Sequence, residues 1–128
     1  MNYFLTDEEQ MILETSRELA VKKVKPIREH YDAEGIFPWD IVKEMSSLGL
    51  CGLYIPEEYG GMAAGGSKGI MQLVLCVEEM SKICGGISLA MAASALGTFP
   101  ILLGATGEQK KKYLPDIAEG KKLAAFGL

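Results

Sequence analysis

A segment with no polar face, residues 87–96, constrains the fold of this chain more than any other part. All of its residues are alanine or larger apolar residues, except for two serines. A helix of such composition is typically buried on every side. The apolar helix predicted before it, at residues 67–82, also lacks a clean polar face, and a small bundle can enclose one such helix but not two. We therefore expect residues 87–96 to face something outside this chain: a second domain, a ligand, or both.

Composition limits the classes of protein that need to be considered. The 128 residues suffice for one domain. No run reaches the roughly 18 consecutive apolar residues that cross a bilayer, so no membrane span is predicted. A net charge of −4 disfavours nucleic acid as the main partner. The acidic N-terminus is unlike a secretory or transit peptide, and we therefore expect a prokaryotic cytoplasmic protein.

Side chains that could perform chemistry are few. The three cysteines form no CxxC pair and His30 is the single histidine, so we expect buried reduced thiols and no metal site. The glycine-rich segment 61–68 lacks the residue order of a phosphate-binding loop and is expected to be a connector. Glu78 and Glu79 point about 100° apart on a helix, so we expect one to face solvent and the other to pair with a basic residue. No catalytic residue is predicted.

Capping, proline and glycine signals predict an all-α fold of five or six helices in an orthogonal or up-down bundle. The first helix begins after Thr6, whose spacing to Glu9 is that of a capping box. Pro26 lacks a backbone donor, so we expect a kink or break just before it. Gly35 is expected to end this element. A second helix is predicted at residues 39–48, with Gly49 as the glycine that follows its end.

The second half of the chain contains three further start and stop signals. Gly85-Gly86 is expected to end the third helix, and Thr98 to cap a short helix that contains Pro100. Thr106, at capping-box spacing from Gln109, is expected to open another helix. The corresponding helices are predicted at residues 67–82, 87–96, 98–103 and 106–113, with one more turn at 115–119.

The last residues form an apolar run. Leu123, Phe126 and Leu128 would each gain roughly 1.5–3 kcal/mol on leaving water, and no turn residue follows them. We therefore expect residues 1–120 to form one helical domain and residues 121–128 to be the first strand of a further domain.

Two small residues inside the apolar segment allow two interpretations. Ala92 and Ala93 could let two helix backbones approach closely, or they could form a recess for an aliphatic ligand, walled by Leu89 and Leu96. The residues alone favour close helix packing.

Four segments in order resemble one known family. They are LTDEEQ at residues 5–10, GLCGLYIPEEYGG at 49–61, VEEMSK at 77–82, and GEQKKKYLP at 107–115 continuing to Gly120. Together they resemble the N-terminal domain of the acyl-CoA dehydrogenases, over essentially the whole chain. The resemblance implies a middle β-domain after residue 120 and a C-terminal four-helix bundle. It also implies non-covalently bound FAD, a homotetramer, α,β-dehydrogenation of an acyl-CoA thioester, and electron transfer to electron-transferring flavoprotein.

Few functional residues carry over by this resemblance. Phe126 and Leu128 match positions that contact the flavin. The helix at residues 87–96 matches the wall of the acyl cavity, which makes substrate-binding candidates of Ser88, Leu89, Ala92, Ala93 and Leu96. The catalytic glutamate of most family members lies in the C-terminal bundle, so none is assigned here.

The resemblance implies an FAD-dependent enzyme acting on short- or medium-chain acyl-CoA, of which this chain alone is expected to be inactive. Two alternatives remain open. A non-catalytic helical module could dock another protein through the apolar helix, and acyl-CoA oxidases and nitroalkane oxidases share the same domain plan.

Overall fold

A computed structural model describes residues 4–63 and 68–127 and confirms the all-α fold. Helix α4 packs against α1 on one side and also against α5, so it lies between these two helices. Two short 3₁₀ turns, Leu50–Gly52 and Glu57–Tyr59, lie in the loop between α3 and α4. The α-helices of the described residues are α1 (Asp7–Leu19), α2 (Arg28–Glu34), α3 (Trp39–Ser47), α4 (Lys68–Ser81), α5 (Gly85–Gly104) and α6 (Gly107–Ala118).

The first helical segment follows its local signals. The Thr6 hydroxyl accepts a hydrogen bond from the Glu9 amide at 3.3 Å, and the Glu9 carboxylate accepts one from the Thr6 amide at 2.9 Å. These two bonds are the predicted capping box. Before Pro26 the backbone widens into a π-helical turn, Ala20–Val24, closed by a 2.9 Å bond from the Lys25 amide to the Ala20 carbonyl. The predicted break before the proline is therefore confirmed.

Glycines end the next two helices as expected. Gly35 follows α2 with a φ of 64°, and Gly49 follows α3 with a φ of 74°. This left-handed conformation costs glycine little, because it has no Cβ.

Helix α5 differs from the prediction at both ends. Gly85-Gly86 does not end α4, which stops at Ser81, but begins α5. The predicted break at Thr98 is also wrong, because α5 continues through Thr98 and Pro100 to Gly104. The Thr98 hydroxyl does not cap a new helix; it donates back to the Ser94 carbonyl at 2.7 Å. Pro100 lies on the exposed side of α5, where water can solvate the carbonyl that the proline leaves without a donor.

The last helix and the tail also differ from expectation. Thr106 and Gln109 form the predicted capping box, but α6 runs without interruption through Pro115 to Ala118, so the separate turn at 115–119 is not seen. Residues 123–127 adopt neither helix nor strand. A strand needs a neighbouring strand to satisfy its backbone groups, and the described residues offer none to this tail. Its pairing with a further domain stays a prediction.

The loop between α3 and α4 is closely packed. A Cβ placed on Gly61 would lie 1.9 Å from the Ile55 carbonyl oxygen, so only glycine fits there. Leu53 and Ile55 are buried in the core beside this turn. Most of the predicted connector, residues 64–67, lies outside the described residues.

In the described part of the chain, α5 is the one helix long and apolar enough to cross a membrane by length and composition. Only 39% of its most apolar stretch is buried inside the chain. The core helix of a globular protein can have the same length and composition.

Candidate functional site

Helix α5 has one face in the core and one face outside it. Ile87, Met91 and Ala95 are buried among the core residues. Leu89 and Leu96, on the opposite face, are 59% and 52% exposed. The sequence thus fills both faces of α5 with apolar side chains, whereas the described residues cover only one. The exposed face is where the expected second domain or ligand could bind.

An open apolar groove runs along the exposed face of α5, between this helix and α4. We call it the α4–α5 groove. Its volume of about 580 Å³ is within the usual range of small-molecule sites. Its walls include Val74 and Val77 of α4 and Leu89, Ala92, Ala93 and Leu96 of α5.

Four of the five predicted substrate-binding residues are brought together in this groove, and the fifth is not. Ser88 is only 2% exposed. Its hydroxyl lies 2.9 Å from the Gly85 carbonyl and 2.7 Å from the Ser81 hydroxyl, so it is used within the α4–α5 junction. A role for Ser88 in binding substrate stays a prediction.

Packing among the described residues does not explain the small size of Ala93, because Ala93 is exposed there. Ala92 is half-buried and also lines the groove. Of the two interpretations of this pair, a recess open to an outside group therefore describes Ala93 better than close helix packing does.

A second groove lies on the other side of α5. We call it the tail groove, because residues 123–126 form one of its walls and the loop at 35–38 forms another. Its volume is about 590 Å³, and Leu89 and Ala93 line both grooves. Phe37 and Phe126, each about half exposed, offer aromatic surface to it. Leu128, the other predicted flavin contact, lies outside the described residues.

A chain of hydroxyl groups joins the tail to the core. The Ser94 hydroxyl accepts a 3.1 Å hydrogen bond from the Ala124 amide, and the Thr98 hydroxyl donates to the Ser94 carbonyl. The Tyr54 hydroxyl lies 3.4 Å from that of Thr98. Burial raises the pKa of Tyr54, although hydrogen bonds to Thr98 and Ser94 oppose this shift. Tyr54 therefore stays neutral and acts as a hydrogen-bonding group.

Among the residues that the structure describes, the ionisable side chains near the grooves do not form a catalytic set. Glu79 is buried and its carboxylate accepts hydrogen bonds from Arg17 and Lys82, whereas Glu78 is 60% exposed at the rim of the α4–α5 groove. This is the predicted division of roles between the two glutamates. Arg17 lowers the pKa of Glu79 by hydrogen bonding to its charged form, against the opposing effect of burial. A carboxylate held ionised in this way is a structural ion pair.

The three cysteines of the chain are free thiols. Cys51 and Cys76 are buried free thiols, and burial raises the pKa of each to about 11. Cys84 is half-buried and also free. No group of three potential metal ligands occurs within residues 4–63 and 68–127.

Several residues around the grooves were missed by sequence reasoning. Val74 and Val77 are three residues apart on α4, a spacing that places them on one helix face. That spacing could have identified them only if the side of α4 facing the core had been known. Phe37 and Ser94 carry no sequence signal for their roles, since both depend on where the tail lies.

These features define a helical domain whose most apolar helix is open to the outside along two grooves. Residues 6–121 match the family model of the acyl-CoA dehydrogenase N-terminal domain. The chain therefore belongs to the acyl-CoA dehydrogenase family, as the sequence resemblance indicated.

Individual relatives agree with this assignment. The chain is 43% identical to the probable acyl-CoA dehydrogenase YngJ of Bacillus subtilis (strain 168), over 100% of this chain and 33% of that protein. Its fold matches butyryl-CoA dehydrogenase from Megasphaera elsdenii with a TM-score of 0.85 and 34% identity, over 96% of this chain and 32% of that one. It also matches acyl-CoA dehydrogenase complexed with FAD from Bacillus anthracis with a TM-score of 0.85 and 35% identity, over 97% and 21% of the two chains. The chain spans about a third of the length of the curated relatives it matches.

Proposed function

We propose that this chain is the part of an FAD-dependent acyl-CoA dehydrogenase that forms one wall of the acyl pocket. The observation that supports the proposal most directly is the α4–α5 groove, whose apolar wall is built from Leu89, Ala92, Ala93 and Leu96. An aliphatic chain gains about 0.8 kcal/mol for each buried CH₂, and small side chains at residues 92 and 93 leave room for it. A short- or medium-chain acyl group is the proposed occupant.

The described residues offer FAD only one candidate contact, which is the side chain of Phe126 in the tail groove. Phe126 is half-exposed and lines the tail groove, as Phe37 also does, so it presents a flat apolar ring to an open volume. In an acyl-CoA dehydrogenase, bound FAD supplies the hydride acceptor for α,β-dehydrogenation of the thioester. This chain contributes an aromatic contact to that group, and we expect the 128 residues alone neither to retain FAD nor to turn over substrate.

The partners of the whole enzyme are proposed from the same family resemblance. They are electron-transferring flavoprotein as the electron acceptor and three further copies of the enzyme in a homotetramer. We also propose a bacterial cytoplasmic enzyme, in keeping with the bacterial relatives above.

A chimera tests the proposal. Residues 1–128 would replace the matching N-terminal part of the Megasphaera elsdenii butyryl-CoA dehydrogenase, the rest of that enzyme being kept. We expect a yellow protein with close to one FAD per chain that reduces an electron-accepting dye with butyryl-CoA. A chimera that folds, as judged by circular dichroism, but binds no FAD and shows no turnover would contradict the proposal.

A substitution in the chimera tests the groove itself. Ala93→Phe should fill part of the α4–α5 groove and lower kcat/KM for octanoyl-CoA at least tenfold relative to butyryl-CoA. Ala33→Phe, at an exposed alanine of α2 that lines neither groove, is the matched control and should leave this ratio unchanged. An unchanged ratio in Ala93→Phe would show that this wall does not contact the acyl chain.

Two alternatives have distinct outcomes. An acyl-CoA oxidase passes electrons to O₂, so a full-length protein of that kind containing this chain would form hydrogen peroxide without dye. The non-catalytic helical module would use the same exposed face of α5, and it is favoured if the chimera folds but neither binds FAD nor turns over.

A further inference from the structure

Gly97 is an unusual residue for its position, because it lies well inside the 20-residue helix α5. Glycine inside a helix is unfavourable relative to alanine, since it loses more backbone freedom on folding. The structure gives a reason for it. A Cβ placed on Gly97 would lie 2.8 Å from the backbone nitrogen and carbonyl carbon of Ala125 and 2.9 Å from the carbonyl carbon of Ala124. The tail backbone therefore crosses α5 directly over Gly97.

A second contact fixes the same crossing. Ser94 lies one helical turn before Gly97, is 4% exposed, and accepts a 3.1 Å hydrogen bond from the Ala124 amide. The Ser94 carbonyl accepts a hydrogen bond from the buried Thr98 hydroxyl. Gly97 thus allows the tail backbone to approach α5, and Ser94 fixes the position of the Ala124 amide by a hydrogen bond.

The consequence of this crossing is the position of Phe126. Two residues beyond the hydrogen-bonded Ala124, the Phe126 ring lines the tail groove together with Leu89 and Ala93. The contacts at residues 94 and 97 hold the tail backbone at Ala124 and Ala125. A lateral shift of the tail at this point would therefore move the Phe126 ring relative to the groove.

We infer that Ser94 and Gly97 are positioning residues that fix the tail across α5 and thereby place Phe126 against the flavin. Neither residue is proposed to contact FAD or the acyl group; both act through the backbone of residues 124 and 125. The flavin part of this inference rests on the function proposed above, whereas the crossing itself does not.

The first test uses the 128-residue chain and amide hydrogen exchange measured by NMR. Ser94→Ala removes the acceptor and should speed exchange of the Ala124 amide about two- to tenfold, the range expected for one hydrogen bond. Gly97→Ala should speed it about tenfold or more, because the new methyl group displaces the tail. Unfolding by urea should not be weakened in Gly97→Ala, since alanine favours the helix.

Matched controls separate the crossing from general loosening. Gly104→Ala adds a methyl group to the same helix, where nothing lies within 4 Å of it. Ser16→Ala removes a buried helical hydroxyl that donates to the Ile12 carbonyl, away from the tail. Neither control should change exchange at Ala124. Unchanged exchange at Ala124 in both Ser94→Ala and Gly97→Ala would overturn the inference.

The second test uses the butyryl-CoA dehydrogenase chimera. Gly97→Ala should lower kcat about tenfold or more and alter the visible spectrum of bound FAD, while the urea midpoint is kept. Faster tail exchange with an unchanged spectrum and kcat would overturn the flavin-positioning role, and the proposed function would still stand. An unmodified chimera without FAD would overturn the proposed function and, with it, the flavin part of the inference.

Discussion

The ion pair between α1 and α4 provides the sharpest test of what holds this domain together. The Glu79 carboxylate is 5% exposed and accepts hydrogen bonds from Arg17 Nε at 3.0 Å, Arg17 Nη2 at 3.3 Å and Lys82 Nζ at 2.5 Å. We consider Glu79→Gln, which keeps the shape of the side chain and removes its charge.

The expected loss follows from the exposure of the partners. Hydrogen bonds to charged groups are worth about 1.5–3 kcal/mol each when buried. Arg17 and Lys82 are 56% and 52% exposed. Water can therefore replace part of the hydrogen bonding that these two side chains lose when the Glu79 charge is removed. We therefore expect Glu79→Gln to lower the free energy of unfolding at pH 7 by about 2 kcal/mol, well below the 3–5 kcal/mol of a fully buried pair.

The loss should depend on pH in a defined direction. Hydrogen bonding from Arg17 lowers the pKa of folded Glu79 below its ordinary value of 4.5, with Lys82 adding to the effect. The folded state thus binds this proton less readily than the unfolded state does. The stabilisation is fully present above pH 4.5 and is lost as the pH falls through the lower pKa of the folded state. The difference between wild type and Glu79→Gln should therefore shrink between pH 5 and pH 3.

Urea unfolding followed by circular dichroism at pH 7, 5 and 3 measures this difference. Glu78→Gln is the matched control, because Glu78 is the adjacent carboxylate, is 60% exposed and pairs only with Lys82 among the described residues, at 3.3 Å. It should cost less than about 0.5 kcal/mol. Equal losses for the two variants, or a gap that stays constant down to pH 3, would refute the reasoning.

Two further predictions concern packing and burial. Gly61→Ala places a methyl group 1.9 Å from the Ile55 carbonyl oxygen, so urea unfolding should show a loss of more than about 2 kcal/mol. In the native chain, only Cys84 should react with Ellman's reagent at pH 8, because burial raises the pKa of Cys51 and Cys76 to about 11. The denatured chain should release three equivalents of colour. Rapid labelling of all three thiols in the native chain would contradict the burial of Cys51 and Cys76.

Signals that act over one helical turn were predicted correctly. The capping boxes at Thr6 and Thr106 use residues three apart, and the structure shows both. The left-handed glycines 35 and 49 are similarly local. In each case the residues that interact lie within a few positions of one another. Packing against the rest of the fold therefore did not change the predicted local structure.

Signals that depend on packing were predicted less well. A proline usually ends a helix, because it removes one donor and clashes with the preceding turn. Both Pro100 and Pro115 nevertheless lie inside helices. The buried Thr98 hydroxyl bonds to its own helix, and the exposure of Pro100 allows water to take the missing donor's place. Whether α5 continues through Pro100 therefore depends on which of the neighbouring turns are buried. That burial cannot be predicted from the positions of threonine and proline alone.

The composition of α5 shows why the candidate site could be predicted only in part. A helix with no polar face is predicted to be buried on all sides. Its sequence does not indicate which of those sides packs against its own domain. The structure answers this with Ile87 and Met91 in the core and Leu89 outside. It also separates two uses of small residues that look alike in the sequence: Ala93 opens a groove, whereas Gly97 lets the tail cross. If Gly97 were small only to allow helix packing, Gly97→Ala would leave hydrogen exchange at the Ala124 amide of the tail unchanged.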